Sequence, residues 1–146
     1  MRLTKTRKSL LALLAVGLLL PPLWLWHNLL SPWSYTAPAH LPTIDQTREH
    51  TLFVYGTLTH SWVRWLVTGE QIESTPASLS GFRREGLDLV ADPDAVTQGE
   101  LLSVTPDNLR RLDRYERLGI RYERIPVPLA SGEQVWVYMR IKAGRQ

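Results

Sequence analysis

Apolar and polar positions divide the chain into three stretches with different rhythms. From Leu10 to Trp26 the residues are apolar almost without interruption, broken only by Gly17, Pro21 and Pro22. Residues 31–50 show no apolar period and carry Pro32, Pro38 and Pro42 among Ser, Thr, Ala and His. From Thr51 onward short apolar runs alternate with turn signals, the pattern of a folded domain built from short elements.

Within that domain the first run, residues 52–55, is rich in β-formers and stops at Gly56. Residues 57–59 read as a turn, and Ser61 caps a short helix over residues 62–67 that Gly69 ends. Strands are predicted at 77–79, running into Gly81, and at 87–90, with Asp92-Pro93-Asp94 as a turn. A clearer strand over 98–104 feeds a helix from Thr105 as N-cap, with Pro106 in its first turn, to Gly119 as terminator. Residues 122–129 and 134–139 alternate around a Ser131-Gly132 turn and form the best hairpin in the chain. Strands outnumber helices and partly follow one another. This predicts an α+β fold, a small, mainly antiparallel β-barrel or sheet with flanking short helices, rather than alternating parallel units.

The 105–119 helix carries one residue that breaks its own pattern. At about 100° per residue, with Leu109 at zero, Leu112 falls near 300° and Glu116 near 340°, so the acid lies between two leucines. Arg110, Arg111, Arg114 and Arg117 occupy the opposite side at roughly 80° to 200°, and Asp113, near 40°, borders the apolar stripe. A carboxyl placed among apolar groups is desolvated, which raises its pKa toward the range useful for proton transfer. The same pattern also fits a Glu at a frayed helix end, turned to water or paired with Arg117, Arg121 or Arg124.

The N-terminal run reads as a signal anchor. Arg2, Lys5, Arg7 and Lys8 precede it, and residues 10–30 form a stretch of about 21 residues without formal charge, near the length that crosses a bilayer. Trp24, Trp26 and Trp33 suit the interfacial belt, and no convincing cleavage site follows. Residues 1–30 are thus expected to form one uncleaved transmembrane helix, 31–50 a proline-rich tether, and 51–146 a domain on the extracytoplasmic (periplasmic) side. A cleaved signal peptide is the alternative.

Charge follows the same division. Four of the 17 basic residues precede residue 9, which leaves 13 against 14 acidic residues in the rest of the chain, and every acid lies at or beyond Asp45. The domain is near neutral and lacks the basic stripe of a nucleic-acid binder. With no cysteine, disulfides, thiolate metal sites and a cysteine nucleophile are excluded. His27, His40, His50 and His60 lack metal-ligand spacing, and neither a serine-hydrolase elbow nor a phosphate-cradling glycine loop is present. The histidines thus suggest no metal site, and the sequence sets no oligomeric state. Gly56 after a buried strand brings backbone N–H groups to a concavity able to hold a carboxylate or oxyanion, or else it simply ends a strand whose Tyr55 packs in the core. Glu100, alternating with apolar strand residues, is expected to face solvent.

Tyr55-Gly56-Thr57-Leu58, then Leu79-Ser80-Gly81-Phe82-Arg83, then Gly99-Glu100-Leu101-Leu102 before Leu109 to Glu116, then Tyr122-Glu123-Arg124, occur in an order that resembles the gamma-glutamylcyclotransferase-like, or avirulence-induced-gene-like, superfamily. With its anchor the chain reads as a membrane-anchored, bacterial-type member. The resemblance implies a small β-barrel with flanking helices and no cofactor. It implies a loop of Tyr55, Gly56, Thr57 and Leu58 that holds a γ-glutamyl group through backbone amides, with Glu116 as acid and base and Tyr122 walling the pocket. It also implies cyclisation of a small-molecule or peptide γ-glutamyl substrate to 5-oxoproline with release of an amine. Arg117 stands where many relatives carry Gly. Two other readings compete: a membrane-tethered binding or accessory module without turnover, and a γ-glutamyl hydrolase or transferase. Trp62 and Trp65 discriminate the first of these, since exposure favours a docking surface and burial an enzyme core.

Overall fold

The computed structural model describes residues 5–29, 31 and 35–141. They divide into two compact units, 1–36 and 37–146. The first contains helix α1, Lys5–Leu29. Leucine, alanine and valine carry it, and Leu13, Leu18, Leu20, Leu23, Trp24 and Trp26 are all exposed along it. Pro21 and Pro22 lie inside the helix and His27 in its last turn. Among the described residues no helix is long and apolar enough to cross a membrane, so the structure does not supply the transmembrane helix expected from the sequence.

The second unit is an α+β domain with five strands: β1 (His50–Val54), β2 (Ser74–Glu85), β3 (Asp88–Val104), β4 (Tyr122–Pro128) and β5 (Gln134–Arg140). They form one sheet in the order β2-β3-β1-β5-β4. Three neighbouring pairs are antiparallel, as expected, and β1 against β5 is parallel, with Leu52 opposite Trp136 and Phe53 opposite Val137. The sheet is therefore mixed.

Alternation in the strands sorts the core into two layers. Leu52 and Val54 join Leu102, Val104 and Tyr138 against helices α2 (Ser61–Thr68) and α3 (Pro106–Tyr115), through Val63, Leu109 and Leu112. Phe53 and Tyr55 point the other way and pack with Val127, Val135 and Val137 under Leu79 and Leu89 of the long β2–β3 hairpin. β1 and β3 approach closely where they pair. A Cβ at Gly99 would run into the carbonyl oxygen of Val54 and the ring of Phe53, so only glycine fits there.

Two sequence expectations change. The separate strands at 87–90 and 98–104 are one strand, β3, and the turn expected at Asp92-Pro93-Asp94 lies inside it. Pairing jumps from Ser80↔Val96 to Phe82↔Ala91, so residues 92–95 stand outside the ladder as a bulge opposite Gly81. Pro93, which has no N–H to donate, is accommodated there. The residues read as a tether also pack in part. Leu41 and Ile44 lie against the helix-side core, and the Arg124 guanidinium donates to the Pro42 carbonyl at 3.1 Å.

Candidate active site

Glu116 is not inside the helix that was expected to carry it. α3 ends at Tyr115, and Glu116 is its C-cap, with its N–H bonded to the Leu112 carbonyl at 2.9 Å. Two further bonds close the end: Arg117 N–H to Arg114 O at 3.0 Å and Leu118 N–H to Asp113 O at 2.9 Å. This is the Schellman pattern, which puts the residue after the cap in a left-handed conformation. That residue is Arg117, at φ 53, and not the expected Gly119, which lies beyond the motif at φ 78. Thr105 is the N-cap as expected, accepting from the Asn108 N–H at 3.2 Å.

The wheel's placement of Glu116 on the apolar side nonetheless carries through the cap. Desolvation pushes its carboxyl up to about 7, and among the described residues no cation pairs with it to offset that shift. None of the arginines proposed as alternative partners forms an ion pair with Glu116 among the described residues. Arg124 pairs with Asp113 at 3.3 Å and lies over the Trp136 ring at 4.6 Å, while the buried Nε of Arg117 has no hydrogen-bond partner.

Three phenols surround the carboxyl electrostatically. Tyr55, Tyr122 and Tyr138 all have raised pKa values, chiefly from burial, and in each the charge of Glu116 adds to the shift. Tyr55 is itself a core residue. Its hydroxyl donates to the Tyr138 carbonyl at 2.7 Å and lies 3.4 Å from the Leu87 carbonyl. The Tyr122 hydroxyl donates to the same Leu87 carbonyl at 3.3 Å.

The loop after β1 lies against the same helix end. Thr57 begins a 3-10 turn, Thr57–Thr59, and its Oγ1 is 3.3 Å from the Tyr115 hydroxyl, one residue before Glu116. The leading amides of such a turn have no partner within it and are free to face a ligand. Gly56 precedes them at φ −114, ψ −135. A Cβ there would meet nothing nearer than the Leu87 side chain at 4.0 Å, so the approach to the loop is open. Leu58 is buried in the helix-side core and anchors the turn.

Sequence reasoning missed three parts of this arrangement. The first is the tip of the β2–β3 hairpin, where Leu87 overhangs the loop and Asp88 Oδ1 accepts the Arg140 N–H at 3.0 Å. Gly86, at φ 63, was the available signal, a glycine between two runs that pair. The second is Asp113, a buried carboxyl that accepts from the Tyr138 hydroxyl at 2.6 Å and pairs with Arg124. Its pKa is raised by burial, against the opposing pull of Arg124 and Tyr138. The third is Arg64. This guanidinium, 4% exposed, donates to the carbonyls of Leu58, Thr59 and Ile72, to Ser74 and to Glu100. Glu100 is thus a partner for α2, with its side chain 30% exposed, and does not simply face solvent.

A cavity of about 600 Å³ lies elsewhere, between the 40–42 segment, Leu89, Leu118 and the 123–125 and 139–141 stretches. Glu116, Tyr55 and Gly56 do not line it. Among the described residues no group of three or more His, Cys, Asp or Glu is placed to hold a metal ion.

A family model described as gamma-glutamyl cyclotransferase, AIG2-like, matches residues 52–146. Two Arabidopsis thaliana proteins known from solution structures share the fold. At5g39720.1 has a TM-score of 0.56 and 29% identity, over 67% of this chain and 72% of that one. At3g28950.1 has a TM-score of 0.55 and 24% identity, over 68% and 66% respectively. No curated protein matches the chain.

Proposed function

The chain belongs to the gamma-glutamyl cyclotransferase, AIG2-like family, and from that premise we propose that it cyclises a γ-glutamyl amine or peptide to 5-oxoproline and releases the amine. The observation that carries this reading is a partly buried carboxyl at Glu116, pushed up to about 7 with no ion-pair partner among the described residues, beside the open loop that starts at Gly56. A carboxyl with that pKa is populated as a base at neutral pH and still gives its proton back.

The substrate supplies both nucleophile and electrophile. Glu116 takes a proton from the α-ammonium, and the freed amine attacks the γ-carbonyl carbon of the same residue. The bond from that carbon to the leaving nitrogen breaks as the lactam closes, and Glu116 returns a proton to the leaving amine. The reacting atoms are tethered four bonds apart, so the protein has mainly to hold a productive conformation and to supply donors for the oxyanion. The amides of Gly56, Thr57 and Leu58 take that role, and Tyr122 walls the site beside the carboxyl.

The test uses the full chain in detergent with a panel of γ-glutamyl amines and mass spectrometry for 5-oxoproline. Glu116→Gln is expected to lower release by roughly 10²- to 10⁴-fold, the usual worth of a general base, with its circular dichroism unchanged. Full activity in a folded Glu116→Gln protein would remove Glu116 from the mechanism.

A second reading, a tethered binding module without turnover, is favoured by one observation, the exposure of Trp62 and Trp65. It predicts saturable binding of a γ-glutamyl amine and no 5-oxoproline from any member of the panel. For either reading we propose that α1, with Lys5, Arg7 and Lys8 in its N-terminal end and an apolar run after them, holds the domain at the extracytoplasmic face of a membrane.

A further inference from the structure

Helix α2 is turned inside out. Its inward side carries Val63, Val67, Thr68 and a buried arginine, Arg64, whereas its outward side carries Trp62, Trp65 and Leu66, exposed by 65%, 53% and 47%. On a helical wheel these three outward residues fall within roughly 100°. Isolated exposed apolar side chains are ordinary, but two tryptophans and a leucine on one helical stripe form a patch that favours a partner. His60 stacks on Trp62, with ring centroids 6.5 Å apart, and extends the aromatic edge.

From these features we infer that the outward face of α2 docks into the interfacial region of a lipid bilayer, the same bilayer in which α1 is held. Two observations select lipid over other occupants. Tryptophan paired with leucine on a short amphipathic stripe is the composition that settles at the boundary between headgroups and acyl chains. Arg111, exposed on α3, lies at the end of α2, where it donates to the Thr68 carbonyl. Cations beside an apolar stripe complement anionic headgroups.

The docked helix adjoins the candidate active site. α2 starts at Ser61, directly after the 3-10 turn, and Arg64 bonds the carbonyls of Leu58 and Thr59. The Gly56 loop is thereby fastened to the docking helix. The inference rests on the membrane placement of α1 and not on catalysis.

Because the chain has no cysteine, single labels are unambiguous. Leu66→Cys and, as a second position, Trp62→Cys would carry an environment-sensitive nitrobenzoxadiazole probe in the full chain, reconstituted in vesicles of phosphatidylcholine and phosphatidylglycerol. Ser131→Cys, in the exposed β4–β5 turn, serves as the water-facing control. Flotation reports α1 and the probe reports α2. The expected result is co-flotation, with blue-shifted emission at 66 and 62 and roughly threefold stronger quenching by brominated acyl chains than at 131. Emission at 66 and 62 matching that at 131 on floated vesicles would overturn the inference while leaving the anchor intact. A blue shift without vesicles that grows with protein concentration would overturn it in favour of a second copy of the chain, and failure to float would overturn it together with the anchor.

Discussion

At Glu116 burial sets two measurable quantities at once. Its carboxyl stands at about 7 in the folded protein against an ordinary 4.5. As a base it must be ionised, so cyclisation by the free enzyme should rise with pH through about 7 and then level, a rate profile that Glu116→Gln abolishes. The same shift costs stability. The folded state binds the proton more tightly than the unfolded chain, so the group's contribution is fully present below 4.5 and is lost as pH rises to 7. The loss is about 3 kcal/mol at most. Unfolding titrations at pH 5 and pH 8 should therefore show wild type weakening with pH while Glu116→Gln stays nearly flat and is the more stable protein at pH 8. Arg117 carries a second local cost, since φ 53 is a conformation that a Cβ disfavours by about 1–2 kcal/mol. Arg117→Gly removes it and loses part of the gain through the freer unfolded chain, for a net stabilisation of roughly 0.5 kcal/mol and a rise in melting temperature of about 2–4 °C. The partly buried position of Glu116 was legible in the sequence because one helical period is enough to place it among leucines. Asp113 was not recognised as buried, because a wheel gives direction and not the depth or the partners, here Tyr138 and Arg124, that burial depends on.

Among the elements, α2 depends most on a residue whose role its sequence hides. Arg64 satisfies three carbonyls and Ser74 and pairs with Glu100, so Arg64→Met should leave buried acceptors without donors. A loss of roughly 3 kcal/mol is expected in denaturant unfolding, with the change concentrated in hydrogen exchange of α2 and the 3-10 turn. Strand boundaries show what local pattern reaches. The β4–β5 hairpin was readable because its alternation and its Ser131-Gly132 turn agree. β3 was not, because Asp92-Pro93-Asp94 has the chemistry of a turn and only the partner strand decides whether it becomes a turn or a bulge. The extent of β2 was hidden for the same reason, since most of its residues are polar and owe their extended form to pairing with β3.

For the whole molecule, the effective start of the domain lies before its first strand. Leu41 and Ile44 cover the helix-side core, and Pro38 and Leu41 fill the space beside Gly119. A protein beginning at Thr51 should thus be less stable than one beginning at Ala37 by roughly 2–4 kcal/mol, read as a lower midpoint in urea. Proline-rich composition concealed this, because such a segment reads alike whether it spans solvent or lies against a core. The sheet's order also escaped the sequence, which announces hairpins but not pairings between distant strands. The parallel pair joins Leu52 to Trp136 and Phe53 to Val137, 84 residues apart in each case, and it sits at the centre of the sheet. During synthesis, β1 therefore emerges long before its second neighbour exists. Phe53 and Tyr55 must wait, unshielded by Val135 and Val137, until the residues of β5 have been made. The domain cannot mature stepwise behind a ribosome, and its first apolar strand is the segment most in need of a chaperone in that interval.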